Sequence, residues 1–260
     1  EIKEDAFKKY KDSNFKKVIK SKKAYRIKDE KYIDDRLKII EGIVSVNDIK
    51  VKAKEFDLTI TEYLTSVLIK SIGGLKSKSK KPIVITIPVN LRKYYPTYTV
   101  RNFFSVVNID YSYNIDSFKD ITKSVKKSFK EKLDKENIKD KMNSMIKLED
   151  IFIVRLIPVF IKDLVLKIAC NIENEYQTMT LSNIGIINMP DIYKKYIDYF
   201  SVFTSTSKIQ MCMCSYDDKM VISFSSKFVN SEIEKNFFKF LSKVGIDVII
   251  NTNDYGDYNE

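Results

Sequence analysis

Residues 83 to 87 read Ile-Val-Ile-Thr-Ile, an unbroken run of β-branched side chains that fits a buried, pleated strand and little else. Pro88 ends the run, and the chain continues as PVNLRKYYPTYTVRNFF, residues 88 to 104, a proline-bracketed loop carrying Asn90, Arg92, Arg101 and Asn102. Any fold open to this chain must therefore bury a strand at 82 to 89 and deliver a polar loop with two arginines at its end. A second strand, Phe103 to Tyr111, follows the loop.

The flanking segments supply the layers around that strand. LTITEYLTSVLIKSIGG, residues 58 to 74, reads as a helix: Leu64, Val67, Leu68 and Ile72 recur on one face, and Gly73-Gly74 stops it. Thr59 and Glu62 have the spacing of a capping box, so they read as a cap and not as an acid/base pair. Before it, Arg36 to Val44 alternates as a strand, and Ser45 caps a helix running to about Phe56. Asp116-Ser117 opens a long amphipathic helix through Phe118, Ile121, Val125, Phe129 and Leu133. Another helix is expected over roughly 148 to 171. Strands are then expected at 176 to 185, 200 to 216 and 219 to 228, and Ser231 opens a last helix to about Val244. Asp217-Asp218 reads as the hairpin turn between the last two strands, since two adjacent carboxylates without further ligands hold no metal. This succession predicts an α/β (α+β) domain, one mixed sheet of about five or six strands with helices packed on it.

Residues 1 to 35 are mostly charged, with one short helix around Asp5 to Tyr10, and read as a linker from something upstream; the start, without methionine, reads as a cut. The domain is placed at 36 to 250 and a flexible tail at 251 to 260.

A length of 260 residues with 44% hydrophobic content is enough for a substantial core. The stretch nearest membrane length, Ile151 to Cys170, contains Arg155, Pro158, Lys162, Asp163 and Lys167, so it reads as a buried amphipathic helix and no membrane span is expected. The net charge of +11 raises nucleic-acid binding, but the lysines are spread over helices among 35 acidic residues, which is the pattern of a solvated surface. Cys212 and Cys214 share one strand face, and with no histidine in the chain neither they nor Cys170 can complete a zinc site. All three read as reduced core residues, from which a cytoplasmic location is expected.

The segments DLTITEYLTSVLIKSI, IPVNLRKYYPTYTVRNFFSVVNID, TMTLSNIGIINMP and MCMCSYDDKMVISFSS, in that order, resemble the second half of the alcohol acetyltransferase and condensation-domain group. That group lies within the chloramphenicol acetyltransferase-like superfamily of CoA-dependent acyltransferases, and the likeness covers about residues 36 to 245. It implies two similar α/β subdomains side by side with a substrate channel between them. It also implies a His-His-x-x-x-Asp-Gly motif in the first subdomain, whose base deprotonates the alcohol or amine that attacks an acyl thioester.

This chain has no histidine. The resemblance therefore implies a C-terminal subdomain that is inactive alone and lacks its N-terminal subdomain. Its further partners would be acyl-CoA, or a carrier thioester, as cosubstrate and an alcohol or amine as acceptor. It also implies that Arg92 lies near the channel, orienting a carboxylate or holding a loop, beside Asn90, Arg101 and Asn102. Ser182, Asn183 and Gly185 would form a second turn donating toward an acyl oxygen. All of these residue types also serve ordinary turns, and Tyr94, Tyr95 and Tyr98 either line an acceptor channel or pack the loop. A half-enzyme would expose an unusually apolar face and self-associate through it. The rival expectation is a non-catalytic, acyltransferase-like module that binds a protein partner.

Overall fold

The computed structural model describes residues 4–16, 22–75, 79–114, 116–149, 163, 167–168, 172–205 and 207–254. A short helix α1 (Ala6–Lys9) precedes strand β1 (Lys38–Ser45), helices α2 (Val46–Glu55) and α3 (Ile60–Gly73), and strands β2 (Ile83–Asn90) and β3 (Phe104–Tyr111). Helices α4 (Phe118–Lys132) and α5 (Lys135–Glu149) follow, then β4 (Met179–Ile186), a short α6 (Asp191–Lys194), β5 (Gln210–Tyr216), β6 (Lys219–Ser226), α7 (Glu232–Lys243) and β7 (Ile249–Thr252).

All seven strands join one mixed sheet in the order β3-β2-β4-β5-β6-β1-β7. β2, β4 and β5 are mutually parallel, and every other neighbouring pair is antiparallel. Seven strands correct the expected five or six. The additional one, β7, is a four-residue, fully exposed edge strand on β1, too short to show a period of two. It includes position 251, where a tail was expected to begin, and beyond it the Asp254 carboxylate accepts a hydrogen bond from Tyr32 Oη at 2.7 Å.

The helices form locally for the reasons the sequence suggests. The Thr59–Glu62 capping box is made in full, Ser45 caps α2 by accepting from Asp48 N, and Ser117 caps α4 by accepting from Asp120 N. Thr65, Ser66 and Ser71 are buried within α3, each returning its hydroxyl to the carbonyl four residues back. The helical side of the sheet holds one core in which Leu64, Leu68 and Ile72 of α3 join Ile83, Ile85, Met179, Met211, Ile222 and Phe224 of the strands. The opposite face is polar: Thr86 bonds Asn108, and Ser223 bonds Glu41, at 3.0 and 2.9 Å.

Three further expectations change. The strand predicted over 200 to 216 begins only at Gln210. Residues before it cross the polar face as a strap, with the Phe200 carbonyl accepting from Cys214 Sγ (3.2 Å) and the Thr204 carbonyl from Ser225 Oγ (2.6 Å). A β-like composition here serves contact with a sheet face, not membership of its ladder. Helix α5 was not expected, because its buried stripe is only Ile138, Met142 and Ile146 among charged neighbours. The helix expected at 148 to 171, and Cys170 with it, falls almost wholly outside the described residues.

The third change concerns the segment read as a linker, which is stitched to the domain. Ala24, 0% exposed, donates to Glu175 O, Tyr25 N donates to Pro82 O, and Thr178 Oγ1 donates to Tyr25 O. Backbone bonds of this kind leave no hydrophobic period, which is why charge dominated the expectation.

Gly42 faces Phe238, and a Cβ built there would overlap the phenyl ring. Gly42→Ala should cost about 1–3 kcal/mol in denaturant unfolding, and Phe238→Leu should recover part of the loss in the double variant. Burial pushes the thiols of Cys212 and Cys214 up, so mapped labelling with a thiol reagent should spare both until the protein unfolds.

Candidate functional site

The two motifs singled out in the sequence sit side by side. β2 and β4 are parallel neighbours, so the loop after β2 and the turn late in β4 emerge at the same end of the sheet. Val84 directs both backbone polar groups at β4, its N–H to Thr178 Oγ1 (3.1 Å) and its C=O receiving Thr178 N (2.8 Å). Backbone direction alternates along a strand, so position 88 also faces β4, and there proline has no N–H to give. The β2–β4 register covers only Ile85–Met179 and Thr86–Thr180. Beyond it β2 continues to pair with β3 as far as Asn90–Phe104, while β4 continues along β5. The sheet thus forks at Pro88.

One arm of the fork carries a loop held almost entirely by hydrogen bonds. The Arg92 guanidinium donates to the carbonyls of Thr99 (2.8 Å) and Arg101 (2.7 Å) and reaches Asn90 Oδ1 at 3.5 Å, while Asn90 Oδ1 also caps the Arg92 N–H at 3.0 Å. Arg92 therefore spends its planar fork on its own loop. Thr99 is buried and its hydroxyl donates to the Glu4 carbonyl (2.7 Å), and Thr97 Oγ1 donates to the Glu4 carboxylate (2.6 Å). Lys9 at 2.6 Å, together with Thr97, holds the Glu4 carboxyl below the usual range. Tyr10 Oη donates to Pro96 O, and Phe7 meets Phe103 edge to face at 4.9 Å, so residues 4 to 10 brace the loop from outside.

The tyrosines divide. Burial raises Tyr94 and Tyr95, and Tyr94 donates to Leu133 O at 3.1 Å, so both pack the loop; Tyr98 is 86% exposed. Arg101 and Asn102 are exposed at the loop's rim.

On the other arm, a register shift between Asn183 and Gly185 marks a bulge, and Gly185 takes a φ of 89°, a conformation that favours glycine. Asn183 is occupied: its Oδ1 accepts from Gly185 N (2.8 Å) and its Nδ2 donates to Thr61 Oγ1 of α3 (3.0 Å). Ser182, half-buried one position earlier, points to the polar face. The structure thus brings all seven expected residues to one end of the sheet but divides their roles. Asn90, Arg92, Asn183 and Gly185 build the two turns, and Arg101, Asn102 and Ser182 are the groups disposed toward solvent.

Several large apolar residues on β4, on the segment after it and on the loop after β2 are exposed, which the sequence did not single out. Ile184, Ile186 (74% exposed), Ile192, Tyr193, Tyr196 and Phe203 are all large and exposed, as are Val100 and Phe104 on the other arm. Their signal lay in the isoleucines following Asn183, which read as strand interior. With polar donors but no histidine, this end of the molecule can orient a ligand and has no imidazole to take its proton near neutrality.

No family profile and no curated protein matches the sequence. The fold does match solved structures. The epimerization domain from the third module of tyrocidine synthetase B aligns over 87% of this chain and 52% of its own, at 10% identity and a TM-score of 0.53. The trichothecene 15-O-acetyltransferase TRI3 of Fusarium sporotrichioides aligns over 85% and 48%, at 12% identity and 0.51. The nonribosomal peptide synthetase FmoA3 aligns over 86% and 23%, at 11% identity and 0.58. The chain spans about half the length of the first two and about a quarter of the third. Its fold is the chloramphenicol acetyltransferase-like fold of these structures, over about half the length of the first two. Among the described residues no helix is long and apolar enough to cross a membrane.

Arg92→Ala should loosen residues 97 to 101 by about 1–2 kcal/mol, read as roughly tenfold faster proteolytic cleavage there, with Arg92→Lys intermediate and Asn102→Ala unchanged.

Proposed function

We propose that this chain is the C-terminal half of an acyltransferase that moves an acyl group from CoA, or from a carrier-protein thioester, to an alcohol or amine. The forked end of the sheet forms one wall of the channel, and the base is a histidine on the complementary half, outside these 260 residues. Arg101 and Asn102 on one arm and Ser182 on the other supply donors to the thioester oxygen or the anionic portion of the donor, and the lysine excess draws an anionic cosubstrate toward the protein. The exposed apolar residues from Ile184 to Phe203 are the surface on which the other half docks, and in its absence copies of the chain associate through it.

The observation that carries this reading is the likeness of fold at about half the length of the matched structures, and the two polar turns at one end of the sheet and the exposed apolar residues of β4 and the segment after it support it. The free, buried thiols of Cys212 and Cys214 support a cytoplasmic setting.

Thioester turnover measured on these 260 residues alone should be at the uncatalysed level, and it should appear in the polypeptide or pair of polypeptides that also carries the histidine motif. In that active form Arg101→Ala should lower kcat/KM by about tenfold, the value of one lost charged contact. Turnover by the isolated chain would overturn the proposal, and a complete protein without turnover would favour the non-catalytic binding module.

A further inference from the structure

A cavity lies on the helical side of the sheet, away from the forked ends of β2 and β4. It has a volume of about 230 Å³, is partly open to solvent, and is lined by the segment at Tyr25 to Asp29, the end of α3 at Ile72 and Leu75, and the start of α7. Glu234, the third residue of α7, lines it. This glutamate is 1% exposed, and neither of its carboxylate oxygens has a hydrogen-bond partner. A buried carboxyl without a donor is costly in either protonation state, and structures rarely keep one without a reason.

The nearest candidate partner is already engaged. Lys38, 3% exposed, is close enough to Glu234 for their charges to interact, yet its ammonium donates to Val229 O (2.8 Å), Asn230 O (3.0 Å) and Ser231 Oγ (2.7 Å), which accounts for all three of its protons. Glu232, also on the lining, pairs outward with Lys235 at 3.0 Å. The lining carries the carboxylates of Asp29, Glu232 and Glu234 and the ammonium of Lys28, with Lys31, Lys38 and Lys235 beside it, and of the three carboxylates Glu234 is the one buried without a hydrogen-bond partner. Apart from Asn230, its remaining walls are apolar or aromatic, among them Tyr25, Ile27, Ile72, Leu75, Ile209 and Phe228. Lys31 lies over the Phe228 ring at 5.6 Å, so that ring already faces a cation.

We propose that this cavity binds a small organic ammonium ion with an apolar body, its nitrogen donating to the orphaned carboxylate of Glu234 and its hydrocarbon resting against Ile72, Leu75 and Phe228. An anion is disfavoured by the unpaired Glu234 carboxylate, and a metal ion finds too few convergent oxygens around one buried carboxylate. The size agrees, because an apolar cavity of about 150 Å³ accommodates benzene and the additional room here suits a short ammonium-bearing arm.

The test uses phenethylammonium as the probe and 2-phenylethanol as its neutral counterpart of nearly the same shape, both titrated into the protein by calorimetry. Saturable binding of the ammonium, at least tenfold tighter than the alcohol, is expected. Glu234→Gln keeps the shape and removes the charge, and should weaken the ammonium at least tenfold while leaving the alcohol unchanged. Leu75→Trp, which fills the cavity and leaves Glu234 in place, should abolish binding of both and decides the matter if the glutamine variant does not fold. Equal affinity for alcohol and ammonium, undiminished ammonium binding in either variant, or no saturation in the wild-type protein would overturn the proposal. None of these readouts depends on acyl transfer, so they stand or fall apart from the function proposed above.

Discussion

A proline at position 88 has no N–H to offer β4, and the arrangement of the candidate site follows from that missing donor. In the middle of a sheet such a gap is a defect; at the carboxyl end of a parallel pair it becomes a parting. β2 leaves with β3, β4 leaves with β5, and each takes a turn with it. The β-branched run that precedes Pro88 keeps the lower part of the pair rigid, so the two turns diverge from a fixed point. A cleft at this location costs the core nothing, because the helical face of β2 stays packed to Ile87.

The polar residues around that parting show how far identity and role can separate. Arg92, Asn90 and Asn183 are the types that recognise ligands, yet their hydrogen bonds close on backbone groups a few residues away, and what they supply is shape. Holding a loop of exposed side chains such as Tyr98 and Val100 with buried threonine and arginine bonds removes conformational freedom before any partner arrives. The residues left facing outward are fewer and less conspicuous in the sequence.

Much of the architecture was legible from periodicity. The helices at 46–55, 60–73, 118–132 and 232–243 and the strands at β1 to β4 and β6 all carry a repeat of two or of three to four along with a recognisable cap or turn. What escaped did so for physical reasons. β7 is shorter than the period needed to detect it, and α5 shows a sparse apolar stripe, Ile138, Met142 and Ile146, among charged residues. The strap before β5 has strand-like composition because it too lies against a sheet, by side-chain and carbonyl contacts in place of a ladder. At the site, the sequence located both turns but could not say where each donor points, since an arginine that clamps a carbonyl and one that awaits a carboxylate look alike as letters. The buried Glu234 was equally hidden: on an amphipathic helix a glutamate at the third position reads as a dipole-favoured surface residue.

The bracing of the site loop by residues 4 to 10 has a practical side for anyone handling the protein. Glu4 meets Thr97 and Thr99, and Tyr10 meets Pro96, so Glu4 itself stands against the site loop. An affinity tag or fluorescent fusion placed there would crowd the surface whose occupancy one wishes to measure. The far side of the sheet, where β7 runs out past Thr252, is the better place to attach one.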